Sequence, residues 1–303
     1  MNDSTPIRTD RPATGGADGL PLWRGLFNAW HTGTGHHINI QHQAQALDEA
    51  RLAFLIGLGR DPHERRQAGQ VLASRHLRID FQKELFAGDA ASIAGNAIAS
   101  AAMPQGLLDG TMIRTRDLAT TMRFQCSLDL FDHQTGTPVG PVTIPETGAG
   151  AELRPIEAPD VIDPTPEMPE VWRAALEPRD CDETGRMNLR GMFNVATRAL
   201  WGTQLLLGMT LDTFRQDGFG MGVVAMQHTT YRLPGNGDMV VSRSGVTGIS
   251  RHSMRFRQLI RDAVRQETVA TFDYVVAFFD QATGAPRPPL PSLLQASEKI
   301  RIG

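Results

Sequence analysis

The stretch Asp180-Cys181-Asp182-Glu183-Thr184-Gly185-Arg186 gathers three carboxylates, a thiol and a guanidinium just ahead of a segment with helical periodicity. Carboxylates and thiols can take up protons or attack carbon. An acid in a turn before a helix nonetheless serves most often as a turn or capping residue. Cys181 has no identifiable histidine partner nearby in sequence, so it reads as a small loop residue rather than a nucleophile. A second cluster, His31, His36, His37 and His42, is spaced in a way that invites a metal reading. No cysteine or patterned carboxylate joins it as strong zinc motifs require, so a polar helix start explains it better. No metal or redox cofactor is expected. A third group, Ser250-Arg251-His252-Ser253, stands at a bend between strands and leads into Arg255, Arg257, Arg261 and Arg265. An exposed polar strand face is the simpler account of those arginines.

The first two groups occupy corresponding places in an internal repeat. Trp23-Arg24 recurs as Trp172-Arg173 (172 − 23 = 149), Asn39 as Asn188, Gly59 as Gly208 and Asp89 as Asp238. A hairpin-like string around Gly136, LFDHQTGTP, returns around Gly284 as FFDQATGAP (284 − 136 = 148). The one-residue drift is what an insertion or deletion in a turn leaves behind. The chain therefore reads as a duplicated domain, with repeats over 21–144 and 171–303. The first twenty residues, polar and rich in Gly and Pro, are expected to be disordered. Residues 145–170, dense in proline and acid, are expected to link the repeats.

Composition excludes several classes. The 303 residues, 41% of them apolar, suffice for a sizeable core, and the length fits about two domains. A net charge of −3 gives no electrostatic reason to expect nucleic acid or an anionic membrane as partner. No apolar run is long enough for a membrane span and no secretion signal is evident. Two cysteines suit a reducing compartment, and a cytoplasmic location is expected.

Each repeat orders its elements alike. A Trp-Arg strand and a Gly-containing turn precede a helix, over about 39–58 in the first repeat and 188–207 in the second. In the first helix Ile40, Ala44, Leu47, Phe54 and Leu58 form an apolar stripe. In the second, Met192, Val195, Ala199, Leu205, Leu206 and Leu207 predict burial nearly all round. Glycines at 57 or 59, and at 208, fit C-terminal caps. Strands follow: Met254 and Phe256 alternate with Arg255 and Arg257, while Phe272, Tyr274, Val276 and Phe278 share one face. The expected class is α+β, each repeat an antiparallel sheet of about five strands wrapped around one long helix.

The string RDCDETGRMNLRGMFNVATRAL resembles the D-x-D-x-x-G-H-x-N approach to the central helix of hot-dog-fold thioesterases, the 4-hydroxybenzoyl-CoA thioesterase-like group. The later strands, from YRLPGNGD to TGAPRPPLP, are similar to that group's, so the resemblance covers nearly all of 172–290. The first repeat is similar more loosely, through TGHHINIQHQAQALDEARLAFLIGLG. Two units in one chain resemble the tandem arrangement of acyl-ACP thioesterases, a fused pair that supplies its own dimer, as a monomer or as a homodimer of it.

That resemblance implies hydrolysis of an acyl-CoA or acyl-carrier-protein thioester. The carbonyl would be polarised by unpaired amides at a helix N-terminus and met by a carboxylate acting as base or nucleophile. Asp182 is the implied acid, Gly185 and Arg186 the implied amide sources, and Asn188 opens the helix. His252, Ser253, His37 and Asn39 are the implied substrate contacts. The family's histidine position holds Arg186 instead, whose side chain either binds an anion or faces solvent. Aligned on Asn39, the first repeat has Gly33 at the Asp182 position, His36 at Gly185 and His37 at Arg186. Either that half has lost activity or it uses another group such as His37, Asp48 or Glu49. A hot-dog hydratase or dehydratase using His36 and His37, and a non-catalytic acyl-binding scaffold, are the alternatives.

Overall fold

The computed structural model of the chain describes residues 19–32, 37–100, 103–142, 163–210, 212–213 and 218–302. The tail at 1–18, most of the expected linker, and Gly33 and His36 lie outside the described residues.

The first half runs β1 (Leu20–Leu26), α1 (Ile40–Gly57), α2 (Pro62–Gln67), β2 (Gln70–Ala73), β3 (His76–Phe81), β4 (Ala90–Ser100), β5 (Met103–Arg114), β6 (Ala119–Cys126), β7 (Asp129–Asp132) and β8 (Pro138–Pro141). The second runs β9 (Glu170–Ala175), α3 (Leu189–Leu206), β10 (Phe219–Thr230), β11 (Met239–Ile249), β12 (Ser253–Asp262), β13 (Thr268–Asp280) and α4 (Pro291–Ser297). The class is α+β. Ten strands form one antiparallel sheet in the order β1-β4-β5-β6-β3-β10-β13-β12-β11-β9, while β2, β7 and β8 form a smaller one. From either edge inward, each half contributes its strands in the same sequence, and the halves join where β3 pairs with β10, Ile79 opposite Met226.

The repeated residues do the same work in each half. Asn39 and Asn188 are N-caps, accepting from Gln41 N–H at 3.2 Å and from Gly191 N–H at 2.8 Å. Gly59 and Gly208 take φ of +70° and +75° just past each helix, the left-handed conformation a glycine cap supplies. Asp89 and Asp238 each accept the amide three residues back, from Phe86 at 2.9 Å and Gly235 at 2.8 Å. Asp132 and Asp280 each hold a threonine three residues on, and Gly136 and Gly284 close both turns at φ +71°.

The helices pack against each other over a main apolar core that draws residues from both halves, such as Leu47, Phe54 and Leu77 with Phe193, Phe272 and Phe278. Gly202 lets α3 lie close on β9, since a Cβ there would run into the Val171 carbonyl oxygen. The expectation that α3 is buried nearly all round holds only up to Gln204. Leu205 and Leu206 are 63% and 52% exposed, whereas Leu207, just past the helix, is buried as expected.

The halves differ in one respect that bears on the cavity between them. β10 runs unbroken beside β13, but the corresponding strands of the first half break at Ser74 and Ser127. Ser127 Oγ accepts the Arg75 and His76 amides at 3.1 and 2.9 Å, replacing ladder bonds at the bend. Thus β2 leaves the large sheet and stands opposite the start of α3. No helix among the described residues is long and apolar enough to cross a membrane.

Candidate functional site

Between β2, α1 and the N-terminus of α3 lies a cavity of about 400 Å³ whose wall includes Asp48, Arg51, Ser74, Asp182, Met192 and His228. Both halves therefore build it.

The loop before α3 is tight. Cys181 and Met187 bridge, and Asp182 N–H donates to Arg186 O at 2.8 Å. Gly185, at φ +79°, makes the turn. Asp182 Oδ1 accepts Thr184 N–H at 2.8 Å, Thr184 Oγ1–H at 2.6 Å and Arg186 N–H at 3.2 Å. Asp182 thus caps its own turn while standing in the cavity wall.

The amides expected to polarise a carbonyl, those of Gly185 and Arg186, are engaged within this loop, by Asp182 O at 3.0 Å and Asp182 Oδ1 at 3.2 Å. That is a correction: an amide folded back on its own turn has no hydrogen to give a ligand. The amides that lack an intrahelical partner lie one turn on, at the start of α3 itself. They are met by a carboxylate from the other half. Asp48, on the third turn of α1, accepts Leu189 N–H at its Oδ2, at 2.9 Å, and Arg190 N–H also bonds it. Asp48 Oδ1 accepts Arg51 Nη2–H at 2.6 Å, and Arg51 donates from Nη1 to Ser74 Oγ at 3.1 Å. Burial raises the Asp48 pKa above its ordinary value and the Asp182 charge adds to that, against the opposing pull of Arg51 and the two amides.

Arg186 presents its side chain to protein rather than to the cavity. Nε donates to His133 O at 2.6 Å, Nη1 to Leu233 O at 3.1 Å and Nη2 to Gln134 O. Neither anion binding nor a solvent-facing position describes it. Burial pushes the Cys181 thiol up to about 11, helped by Asp180 and Asp182, so it stays a thiol at neutral pH.

The remaining sequence-derived contacts do not converge here. His252 and Ser253 line a separate open hollow with Gly284 and Pro286. Ser253 pairs with Ala277 of β13 whereas Thr230, in the cavity wall, pairs with Ala270. Seven residues of strand (277 − 270) put roughly 23 Å between them. Asn39 and His37 stand at the start of α1, where His37 Nδ1 lies 3.8 Å from Glu84 Oε1. His31 Nδ1 accepts Asn28 N–H at 3.1 Å, closing its turn as Asp180 closes the corresponding one, and its ring stacks on His42 at 4.3 Å. Among the described residues no group of three metal-binding side chains gathers.

Sequence reasoning missed the pairing of Asp48 with Arg51. A signal was present: Arg51 sits on the apolar face, between Leu47 and Phe54, where a charge must find a partner.

Residues 176–297 match the model of the thioesterase-like superfamily. A search of curated proteins by sequence finds no match. Among solved structures, the chain is similar to a putative oleoyl thioesterase from Lactobacillus plantarum, with a TM-score of 0.66 at 10% identity over 90% of this chain and 99% of that one. A 12:0-ACP thioesterase from Umbellularia californica gives 0.57 at 11% identity, covering 84% of this chain and 92% of the other. An acyl-ACP thioesterase from Bacteroides thetaiotaomicron gives 0.56 at 11%, covering 84% and 96%. The segment 176–297 thus resembles the thioesterase-like superfamily in sequence, and the chain shares the hot-dog fold of the thioesterases it is similar to.

Proposed function

We propose that this chain hydrolyses acyl thioesters, of coenzyme A or of acyl carrier protein, in the cavity where two fused hot-dog units meet. The units are 21–144 and 171–303, joined by 145–170. The mirrored strand order of the halves and the likeness to three long thioesterases support this reading.

The observation that carries it is the Asp48 carboxylate on the amides that open α3, in the wall of a cavity shared with Asp182. Two amides meet one carboxylate, so an entering carbonyl oxygen takes one and Asp48 keeps the other. The helix end then stabilises the charge that develops on that oxygen. Asp48, made more basic by burial, takes a proton from a water that attacks the carbonyl carbon, or attacks that carbon itself to give an anhydride that water then cleaves; in either route the C–S bond breaks and the sulfur leaves as a thiol with the proton. Asp182, its Oδ1 already accepting three hydrogen bonds, is held in its own turn and acts by its charge and by ordering the water. The two carboxylates divide roles as unlike environments dictate. By the offset of the repeats Asp48 corresponds to Thr197 (197 − 48 = 149) and Asp182 to Gly33, so neither carboxylate of the α3 site has an acidic counterpart in the repeat.

The test is free-thiol release by the purified chain from a panel of short, long, branched and aromatic acyl-CoAs and acyl carrier proteins. Catalytic release is expected from at least one class. Tight acyl binding without release, or water addition to an enoyl-CoA without release, would overturn the reading.

A further inference from the structure

The loop that carries Asp182 belongs to the second half but is held by the first. Arg186 donates to the carbonyls of His133 and Gln134, in the turn between β7 and β8, and to Leu233 of its own half. His133 Nε2 lies 3.1 Å from Thr184 O, and Arg66 pairs with Glu183 at 2.7 Å. Leu233 N–H donates to Gly136 O at 2.8 Å, and the turn seats closely because a Cβ at Gly136 would run into the Leu233 carbonyl oxygen. A planar guanidinium with five N–H groups can satisfy three carbonyls at once, which a lysine ammonium on a flexible stem cannot do with the same geometry. Burial lowers the Arg186 pKa, with Asp238 and Asp132 favouring its charge and Arg232 and Arg265 opposing it.

The backbone of Arg186 in turn sets Asp182. Each of the two residues donates its amide to the other, Asp182 N–H to Arg186 O and Arg186 N–H to Asp182 Oδ1. Fixing one fixes the aim of the other's carboxylate. The corresponding residue of the first half is His37 (186 − 149 = 37), whose ring stands by Glu84 and reaches no such set of carbonyls. The latch exists in the half that carries Asp182.

We propose that Arg186 is a positioning residue, a latch that ties the Asp182 loop to the β7–β8 turn of the other half and so holds Asp182 in place beside Asp48. The effect on turnover rests on the hydrolase reading above, whereas the latch itself does not. The experiment compares full-length wild type with Arg186→Gln by amide hydrogen exchange over 181–188 and by steady-state thiol release. Faster exchange confined to the loop, with kcat lowered on the order of tenfold and KM held, is expected, since small misplacements near the chemistry cost much. A conservative Arg186→Lys is expected to restore part of each. His133→Ala, which removes only an exposed ring from the latch, should loosen the loop less and keeps the test alive if Arg186→Gln folds poorly. Unchanged exchange in both variants would overturn the latch, and faster exchange with unaltered kcat would overturn its positioning role. A wild type that releases no thiol while Arg186→Gln still loosens the loop rejects the hydrolase reading alone.

Discussion

The Asp48 carboxylate, on the helix of one half, accepts the Leu189 amide at the opening of the other half's helix, Oδ2 to N at 2.9 Å across 141 residues of sequence. A helix N-terminus favours an anion, and a buried anion needs such donors, so each stabilises the other. Neither half could furnish the arrangement alone.

The pH dependence follows from the sign of the Asp48 shift. Its pKa lies above the ordinary aspartate value of 3.8, first through burial and in part through the Asp182 charge. Catalysis needs the ionised form, so kcat/KM should fall as pH drops through that raised pKa, above the ordinary aspartate value. Asp182→Asn keeps an Oδ1 to cap the turn but removes the charge. The acid limb of its profile should move to lower pH, and an unmoved limb would mean the two carboxylates do not interact.

His228 makes stability fall in acid. Its ring is buried against Phe272 and Phe193 and bonded to Thr271 O and Thr230 Oγ1, and burial lowers its pKa to about 3. The unfolded chain binds this proton from pH 6.5 down while the folded one refuses it until about 3. Stability is therefore whole above 6.5 and is lost across that window, at ~1.4 kcal/mol per unit. His228→Phe should cost about 1–2 kcal/mol at pH 7.5 through the lost hydrogen bonds, yet show a flatter loss between pH 6.5 and 4.5. Denaturant midpoints at each pH decide this.

Gly202→Ala tests how closely α3 lies on β9. The added methyl meets the Val171 carbonyl oxygen, so helix or strand must shift. A loss of about 1–3 kcal/mol by urea unfolding is expected, as for other overpacked sites. Since alanine is otherwise the better helix former, a neutral or stabilising result would contradict the close approach.

The repeat was legible because paired residues at a fixed offset mark paired turns and caps: Asn39 with Asn188, Gly59 with Gly208, Asp89 with Asp238. Each makes its turn or cap contact within four residues of itself. The helices and the alternation of β12 and β13 were legible for the same reason. Asp182 could be placed at the helix approach by its motif, but its triple hydrogen bond within the turn depends on the loop's closure. Asp48 was named only as a substitute within the first half, because no local pattern tells that the third turn of α1 reaches the first turn of α3. Arg186 read as an anion binder or a free surface group since its partners, His133 and Gln134, lie about fifty residues away on a turn whose seat on Leu233 is a tertiary fact.

The most direct measurement is single-turnover thiol release by wild type, Asp48→Asn and Asp182→Asn on whichever acyl thioester the wild type cleaves best. Asp48→Asn is expected to lose on the order of a hundredfold or more and Asp182→Asn distinctly less, with both proteins folded by circular dichroism. Asp48→Asn turning over at the wild-type rate would contradict the assignment of Asp48 at the helix end.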